Sequence, residues 1–93
     1  MEIKGRTVLV VGLARSGVSA ARLLSEMGAR VLVSDRKNEA DIIDAVSELK
    51  SSANCEFYLG QDPDGLLNQV DLIVISPGVP VDSPFILKAA GMG

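Results

Sequence analysis

The residues of this chain best suited to chemistry surround a glycine-rich turn near the N-terminus. Residues 12–17 read Gly-Leu-Ala-Arg-Ser-Gly and directly follow the apolar run Val-Leu-Val-Val at residues 8–11. A strand that enters a helix through such a turn leaves backbone N–H groups facing one crevice, where they bind phosphate. The sequence therefore predicts a phosphate or diphosphate site formed by Leu13, Ala14, Arg15 and Ser16.

This turn differs from the dinucleotide-binding pattern G-x-G-x-x-G at one position, Ala14. The middle glycine of that pattern lets the backbone touch a pyrophosphate, whereas alanine permits a phosphate but crowds a close one. The N–H groups near Arg15 and Ser16 remain donors, the Ser16 hydroxyl adds a bond, and the helix end adds ~0.3–1 kcal/mol toward an anion. The alternative is that Gly12 and Gly17 only allow a tight turn and close packing of the helix on the strand.

A second candidate position is Asp35, which ends the second predicted strand and lies eighteen residues after Gly17. A carboxylate at that strand end faces the same crevice and accepts hydrogen bonds from a ribose diol or from the N3–H of a uracil. The alternatives are a solvated loop carboxylate or a helix cap. For Arg36, the sequence leaves three options open: a backbone contact to a base, a contact to a phosphate, or exposure to water.

The third candidate position is the turn Ser76-Pro77-Gly78, which follows the fourth predicted strand. Proline fixes the backbone there, and glycine lets a ligand approach closely. The alternative is an ordinary strand exit. Because strands 1 and 4 are expected to be neighbours, we expect this turn to lie beside the glycine-rich turn and to contact the same ligand.

Several classes of function find no support in the composition. The chain has no histidine, one cysteine, two Phe, one Tyr and a net charge of −3, which argues against a nucleic-acid partner and against a Cys–His nucleophile or a zinc site. There is no G-x-x-x-x-G-K-[ST] loop, no cluster of carboxylates for a metal, and no run of ~20 apolar residues. We therefore expect no catalytic residue, no metal ligand and no membrane segment in these 93 residues, and a cytoplasmic location.

The apolar pattern alternates between strand and helix along the whole chain. Strands are predicted over residues 7–11, 30–34, 56–59 and 70–75, helices over 16–27, 40–50 and 84–90, and a short turn or helix from Asp62-Pro63 to Leu67. This alternation predicts an α/β fold, a Rossmann-like parallel sheet of about four strands in the order 3-2-1-4 with helices on both faces. A fifth strand is expected beyond residue 93. The helical spacing predicts two buried stripes, one of Ala20, Leu23, Leu24 and Met27, the other of Ile42, Ile43, Val46 and Leu49.

Three segments of the chain also carry a family resemblance. They read VLVVGLARSGVSAARLL at residues 8–24, VLVSD at 31–35 and DLIVISPGVP at 71–80. Together they resemble the N-terminal domain of the Mur ligases, in the branch that adds D-glutamate to UDP-N-acetylmuramoyl-L-alanine. The resemblance covers all 93 residues, and it is the spacing of the three segments that makes it specific.

The resemblance implies a function for the whole of residues 1–93. They would form the UDP-binding N-terminal domain of a three-domain cytoplasmic ligase of peptidoglycan precursor synthesis, with ATP and magnesium held by the central domain and D-glutamate by the C-terminal one. The residues 13–16 would meet the diphosphate, Asp35 and Arg36 would bracket the uracil, and residues 76–78 would line the uridine pocket. The domain alone would not be catalytic. The alternatives are an NAD(P)-binding module of a dehydrogenase or sensor, and a protein-interaction domain without a ligand.

Overall fold

A computed structural model of the chain describes residues 3–52, 54–61 and 63–75. Four strands, β1 (Thr7–Val11), β2 (Arg30–Asp35), β3 (Cys55–Leu59) and β4 (Leu72–Ile75), alternate with helices α1 (Arg15–Glu26) and α2 (Ile43–Ser52). Two 3₁₀ segments, Glu39–Ile42 and Pro63–Gln69, precede α2 and β4. Three parts of the sequence prediction lie outside the described residues: the cap at Asp62, the turn Ser76-Pro77-Gly78 and the helix over 84–90.

The four strands form one parallel sheet in the order β3-β2-β1-β4. This confirms the order predicted from the alternation of strands and helices. The central strand β1 ends with Val11 paired to Ser34 on one side and to Ile75 on the other. The carboxyl ends of β1, β2 and β4 therefore meet at one edge, and the glycine-rich turn leaves the sheet from the middle of that edge.

Both faces of the sheet are covered, because the central strands are apolar along their whole length. On one face Val8, Val10, Val31 and Val33 pack into a core with residues of α1 and α2. On the other face Leu9 and Leu32 are fully buried and pack with Leu66 and Leu67 of the second 3₁₀ segment. Replacing such a buried leucine by alanine removes about 2–5 kcal/mol of stability in a core of this kind.

The buried stripe predicted for α1 is wrong, because a neighbouring side of the helix faces the sheet. The buried residues are Gly17, Val18, Ala21 and Leu24, whereas Leu23 is 57% and Met27 47% exposed. Apolar residues occupy two adjacent sides of this helix, and spacing alone does not say which side faces the sheet. The small residues Gly17 and Ala21 decide it, because they allow the closest approach of the helix to the strands.

The stripe predicted for α2 holds in its second half. Val46 and Leu49 are fully buried and Ile42 is half-buried, but Ile43 is 48% exposed. The chain enters this helix through the 3₁₀ segment Glu39–Ile42 rather than as an α-helix from residue 40. A 3₁₀ turn has three residues rather than 3.6, so it rotates the residues around the α-helical start out of the expected stripe.

At the amino edge of the sheet, Asp71 holds β4 in register with β1. Its backbone N–H donates to Thr7 O at 2.8 Å, and its carboxylate Oδ2 accepts from Thr7 N–H at 2.9 Å. A paired contact of this kind fixes one end of a short edge strand. Asp71 belongs to the third segment of the family resemblance, and its place at the strand start gives it a structural role.

Candidate functional site

The glycine-rich turn is built around one left-handed residue. Gly12 has φ of 93°, a conformation that side chains with a Cβ rarely adopt. Its N–H donates to Ser34 O at 2.8 Å, which extends the ladder between β1 and β2 by one bond. The chain then reverses into α1, and this is why a glycine is required at the first position of the pattern.

Asp35 lies directly beside this turn. Its carboxylate Oδ2 accepts a hydrogen bond from Leu13 N–H at 2.9 Å, and its Oδ1 accepts one from Lys37 N–H at 2.9 Å. The residue is half-buried at the carboxyl end of β2. The structure thus brings together the first two candidate positions, which the sequence had placed at one edge of the sheet but had not connected.

The start of α1 has no side-chain cap. Ala14 is the N-cap residue, with an extended backbone (φ −74°, ψ 178°), and it makes no side-chain cap bond. The first intrahelical bond runs from Val18 N–H to Ala14 O at 3.0 Å. A helix leaves its first four N–H groups without intrahelical acceptors, and here these are the N–H groups of residues 14–17.

Three residues at this helix start, Ala14, Arg15 and Ser16, are exposed. Leu13, the remaining residue of the predicted phosphate turn, differs from them: its side chain is buried and its N–H donates to Asp35. The helix dipole and the Arg15 guanidinium both make this corner electropositive. The arrangement provides backbone donors and positive charge for an anion at the carboxyl edge of the sheet.

The turn that follows Asp35 is supported by a glycine that sequence reasoning passed over. Gly60 N–H donates to both Asp35 O and Lys37 O at 2.9 Å. Its φ is +71°, and a Cβ at this position would clash with the Oδ1 of Asn38. A glycine directly after the third predicted strand was the signal available in the sequence. Arg36 is exposed within the same turn.

A cavity of about 710 Å³ extends between α1 and α2 from the glycine-rich turn. The guanidinium Nη2 of Arg22 and Oε1 of Glu48 form an ion pair across it at 2.7 Å. The residues that line the cavity are Leu13, Arg15, Val18, Ser19, Arg22, Asp44, Ala45 and Glu48.

Among the described residues, a cysteine nucleophile and a metal site are the remaining candidates, and the structure supports neither. Cys55 is half-buried, and burial raises the pKa of its thiol, which disfavours the reactive thiolate. Within residues 3–52, 54–61 and 63–75, no group of three or more Cys, Asp or Glu side chains is arranged to hold a metal ion. In the same part of the chain no helix has the length and apolar character needed to cross a membrane.

The fold and this edge define a Rossmann-like α/β domain, with a glycine turn and an uncapped helix at the switch point of its sheet. The family model for the N-terminal domain of MurD-like Mur ligases matches residues 6–93. The chain therefore belongs to this family of Mur ligase N-terminal domains.

Two curated relatives of high similarity share one name. The chain is 42% identical over 93 residues to the UDP-N-acetylmuramoylalanine--D-glutamate ligase of Clostridioides difficile strain 630, a match that covers all of this chain and 20% of that relative. It is 45% identical over 91 residues to the ligase of the same name from Geotalea daltonii, covering 97% of this chain and 20% of the relative. The chain thus spans about a fifth of the length of the curated relatives it matches.

Solved structures show the same fold in other enzymes. The A chain of dipicolinate synthase from Bacillus subtilis superimposes with a TM-score of 0.73 at 19% identity, over 96% of this chain and 28% of that one. A UDP-glucose dehydrogenase from Pyrobaculum islandicum gives a TM-score of 0.61 at 36% identity, over 77% of this chain and 17% of that one. The first of these likenesses supports the architecture alone, since its identity is low.

Proposed function

We propose that this chain binds the UDP moiety of UDP-N-acetylmuramoyl-L-alanine as the N-terminal domain of an ATP-dependent ligase that adds D-glutamate in the cytoplasm. The observation that carries the proposal is the uncapped start of α1 joined to Asp35 by the bond from Leu13 N–H. It brings the N–H groups at the start of α1 and a carboxylate to one edge of the sheet, which supports binding of a nucleotide diphosphate there. The name shared by the curated relatives supports the reaction assigned to the whole protein.

In this proposal the diphosphate accepts hydrogen bonds from the exposed N–H groups of Ala14, Arg15 and Ser16. The Ser16 hydroxyl donates one further bond, and the Arg15 guanidinium adds charge. Leu13 contributes the position of the turn rather than a donor, because its N–H is already bonded to Asp35. Ala14 in place of glycine suits a single nucleotide diphosphate that lies slightly farther from the backbone.

The uracil occupies the turn that follows β2. A carboxylate offers about four acceptor sites, and the two backbone bonds to Asp35 use only two of them. Asp35 therefore keeps acceptor capacity for the N3–H of the base, with Arg36 on its other side. The turn Ser76-Pro77-Gly78 completes the uridine pocket in this proposal.

The reaction itself belongs to the other domains of such a ligase. ATP and magnesium held there would supply a phosphoryl group to the substrate carboxylate with loss of ADP, and the amine of D-glutamate would then displace phosphate to form the new peptide bond. The role of this chain is to hold the nucleotide end of the substrate so that the distant carboxylate reaches that centre. Its partners are accordingly the nucleotide substrate and the remaining domains of the ligase.

An NMR titration of the ¹⁵N-labelled chain tests nucleotide binding. We expect UDP and UDP-N-acetylmuramoyl-L-alanine to shift the amide signals of Ala14, Arg15, Ser16 and Asp35, with the signals of Asp64 and Asp71 as unaffected controls. Folded protein without shifts at the first four residues would contradict the proposal. Tighter binding of NADH than of UDP would favour the dehydrogenase alternative instead.

A chimera tests the reaction. The chain replaces the corresponding N-terminal fifth of the Clostridioides difficile relative, and phosphate release is measured with UDP-N-acetylmuramoyl-L-alanine, ATP and D-glutamate. We expect activity that depends on all three. A chimera carrying Ala14→Asp serves as the matched control and should have a higher KM for the nucleotide substrate.

A further inference from the structure

We infer that Asp35 positions the glycine-rich turn for the diphosphate, through Leu13, in addition to contacting the base. The inference rests on the proposed function and adds a role for a residue that sequence reasoning connected only with a ribose or a uracil. It starts from the 2.9 Å bond between Leu13 N–H and Asp35 Oδ2, which joins residues twenty-two positions apart.

Two consecutive peptide N–H groups of the turn are bonded to the end of β2. Gly12 N–H donates to Ser34 O at 2.8 Å, and Leu13 N–H donates to the side chain of the next residue, Asp35. The first of these is a main-chain bond that any residue at position 34 would provide. The second depends on the carboxylate, so the Asp35 side chain helps to fix the peptide immediately before Ala14.

The opposite side of Leu13 is fixed as well. Its side chain is 6% exposed and belongs to the core beneath α1, together with Val18. The turn is thus held by packing on one side and by Asp35 on the other, directly before Ala14, Arg15 and Ser16. Donors held in place before the ligand arrives bind it more tightly, because binding then loses less conformational entropy.

Asp35 is itself held in place. Its second oxygen accepts Lys37 N–H at 2.9 Å, and its main-chain oxygen accepts Gly60 N–H at 2.9 Å. The carboxylate therefore connects the turn after β2, where the base is proposed to lie, with the turn after β1, where the diphosphate is proposed to lie. One side chain couples the two parts of the nucleotide site.

Charge and positioning make opposite predictions for this residue. A carboxylate beside an anion site repels the anion, so its removal strengthens anion binding if charge is its only influence. If Asp35 positions the donors, its removal weakens the binding of an anion that has no base at all. The sign of the effect separates the two roles.

The experiment measures the affinity of the chain for inorganic pyrophosphate and, separately, for uridine at fixed pH and ionic strength. Four proteins are compared by NMR titration: the unaltered chain, Asp35→Ala, Asp35→Asn and Asp41→Ala. Asp41→Ala removes the same charge from an exposed position in the 3₁₀ segment before α2 and serves as the matched control. Amide spectra establish that each variant is folded.

We expect Asp35→Ala to weaken pyrophosphate binding by at least about fivefold, the effect of one hydrogen bond. Asp35→Asn keeps a single acceptor oxygen and should weaken it less, while Asp41→Ala should leave it unchanged or slightly stronger. Asparagine preserves the shape of the side chain. If the alanine variant does not fold, the pyrophosphate affinity of Asp35→Asn is therefore compared with that of the unaltered chain instead.

Pyrophosphate affinity that is equal or higher in both Asp35 variants would overturn the inference, even if uridine binding is lost. That outcome leaves the proposed function intact, since base recognition and UDP binding by the unaltered chain remain. An unaltered chain that binds neither UDP nor pyrophosphate contradicts both the proposed function and the inference.

Discussion

The two α-helices among the described residues, α1 and α2, follow neighbouring strands and begin at the same edge of the sheet, yet the charges around their first turns are opposite. α1 starts at Ala14 with no cap, no acidic residue in its first turn and a cation, Arg15, at its first position. α2 is preceded by a segment that carries Glu39 and Asp41. It has Asp44 in its first turn and Lys50 in its last turn. The charges around α2 complement the helix dipole, whereas those of α1 oppose it.

The charges at the two helix starts therefore serve different properties of the protein: those of α2 favour stability, and those of α1 favour anion binding. An Asp or Ser at an N-cap contributes about 0.5–2 kcal/mol relative to alanine, and an acidic residue in the first turn about 0.3–1 kcal/mol. α1 lacks both stabilising contributions, and it begins at the switch point of the sheet, beside the carboxyl end of β1. Its unsatisfied N–H groups and positive end remain available to a ligand, while acidic side chains surround the N-terminus of α2.

The largest expected effect comes from placing an acidic residue at the start of α1, since α2 has acidic residues around its own start. Ala14→Asp suits the extended backbone of this N-cap and should raise the free energy of unfolding by about 0.5–2 kcal/mol. The new carboxylate lies beside the proposed diphosphate, where repulsion at about 4 Å amounts to about 1–4 kcal/mol, so UDP affinity should fall about tenfold or more. Urea denaturation and calorimetric titration with UDP measure the two quantities.

Ala14→Ser is the matched control, because it caps the helix without adding charge. It should stabilise the protein and weaken UDP binding less than the aspartate does. If both variants are more stable and bind UDP as the unaltered chain does, the start of α1 is not the diphosphate site.

The second effect concerns the cation of α1. Arg15→Gln removes a positive charge from the positive end of the helix, so it should raise stability by about 0.3–1 kcal/mol while reducing UDP affinity a few-fold. The difference in UDP affinity between Arg15→Gln and the unaltered chain should shrink at high salt, since Arg15 is exposed and salt screens its attraction for the diphosphate. Arg6→Gln makes the same change in the loop before β1, at the other edge of the sheet, and should leave UDP affinity unaltered. Equal losses in the two variants would indicate general attraction rather than a site.

A smaller effect is expected at the start of α2. Asp44→Ala removes the acidic residue from the first turn and should lower the free energy of unfolding by about 0.3–1 kcal/mol, with UDP affinity changed by less than about twofold. Glu26→Gln, at the last residue of α1, should instead raise the free energy of unfolding, because an acidic residue at a helix C-terminus is unfavourable. Both shifts are measured by urea denaturation. A substantial loss of UDP affinity in the Asp44 variant would show that the cavity between the helices takes part in binding.

The smallest effect lies at the amino edge of the sheet, away from both helix starts. The Arg30 guanidinium hydrogen-bonds to Glu56 at 2.6 Å and holds the pKa of that carboxyl below its ordinary value of 4.5. A lowered pKa in the folded state means that the pair stabilises the protein above the unfolded-state pKa and that this contribution is lost as the pH falls through the folded-state pKa. Because both side chains are about half exposed, the contribution is small.

The measurement is the pH dependence of stability for the unaltered chain and for Glu56→Gln. The difference between the two proteins should be present near neutral pH and should vanish in acid. If the two proteins still differ in stability below the folded-state pKa, packing of the Glu56 side chain, rather than its charge, stabilises the pairing of β2 with β3.

The sequence was sufficient to predict the strand order and the approximate bounds of most elements. Apolar runs and helical spacing are local properties, and right-handed crossovers leave few ways to connect them. The side of α1 that faces the sheet was not predictable in this way, because Leu23 and Met27 form as regular a stripe as the residues that are buried. The 3₁₀ entry to α2 also escaped prediction, since the pattern at residues 39–42 fits either kind of helix.

For the candidate site, the sequence by itself determined which chemical groups are present: a glycine at position 12, an alanine in place of the middle glycine of the pattern, a cation at position 15 and a carboxylate after the second predicted strand. Only the tertiary structure decided how they act on one another. The bond from Leu13 to Asp35, the support of that turn by Gly60 and the ion pair of Arg22 with Glu48 each join residues more than twenty positions apart. Such contacts depend on strand register and on the packing of α1 against the sheet, and neither is a property of any short stretch of the chain.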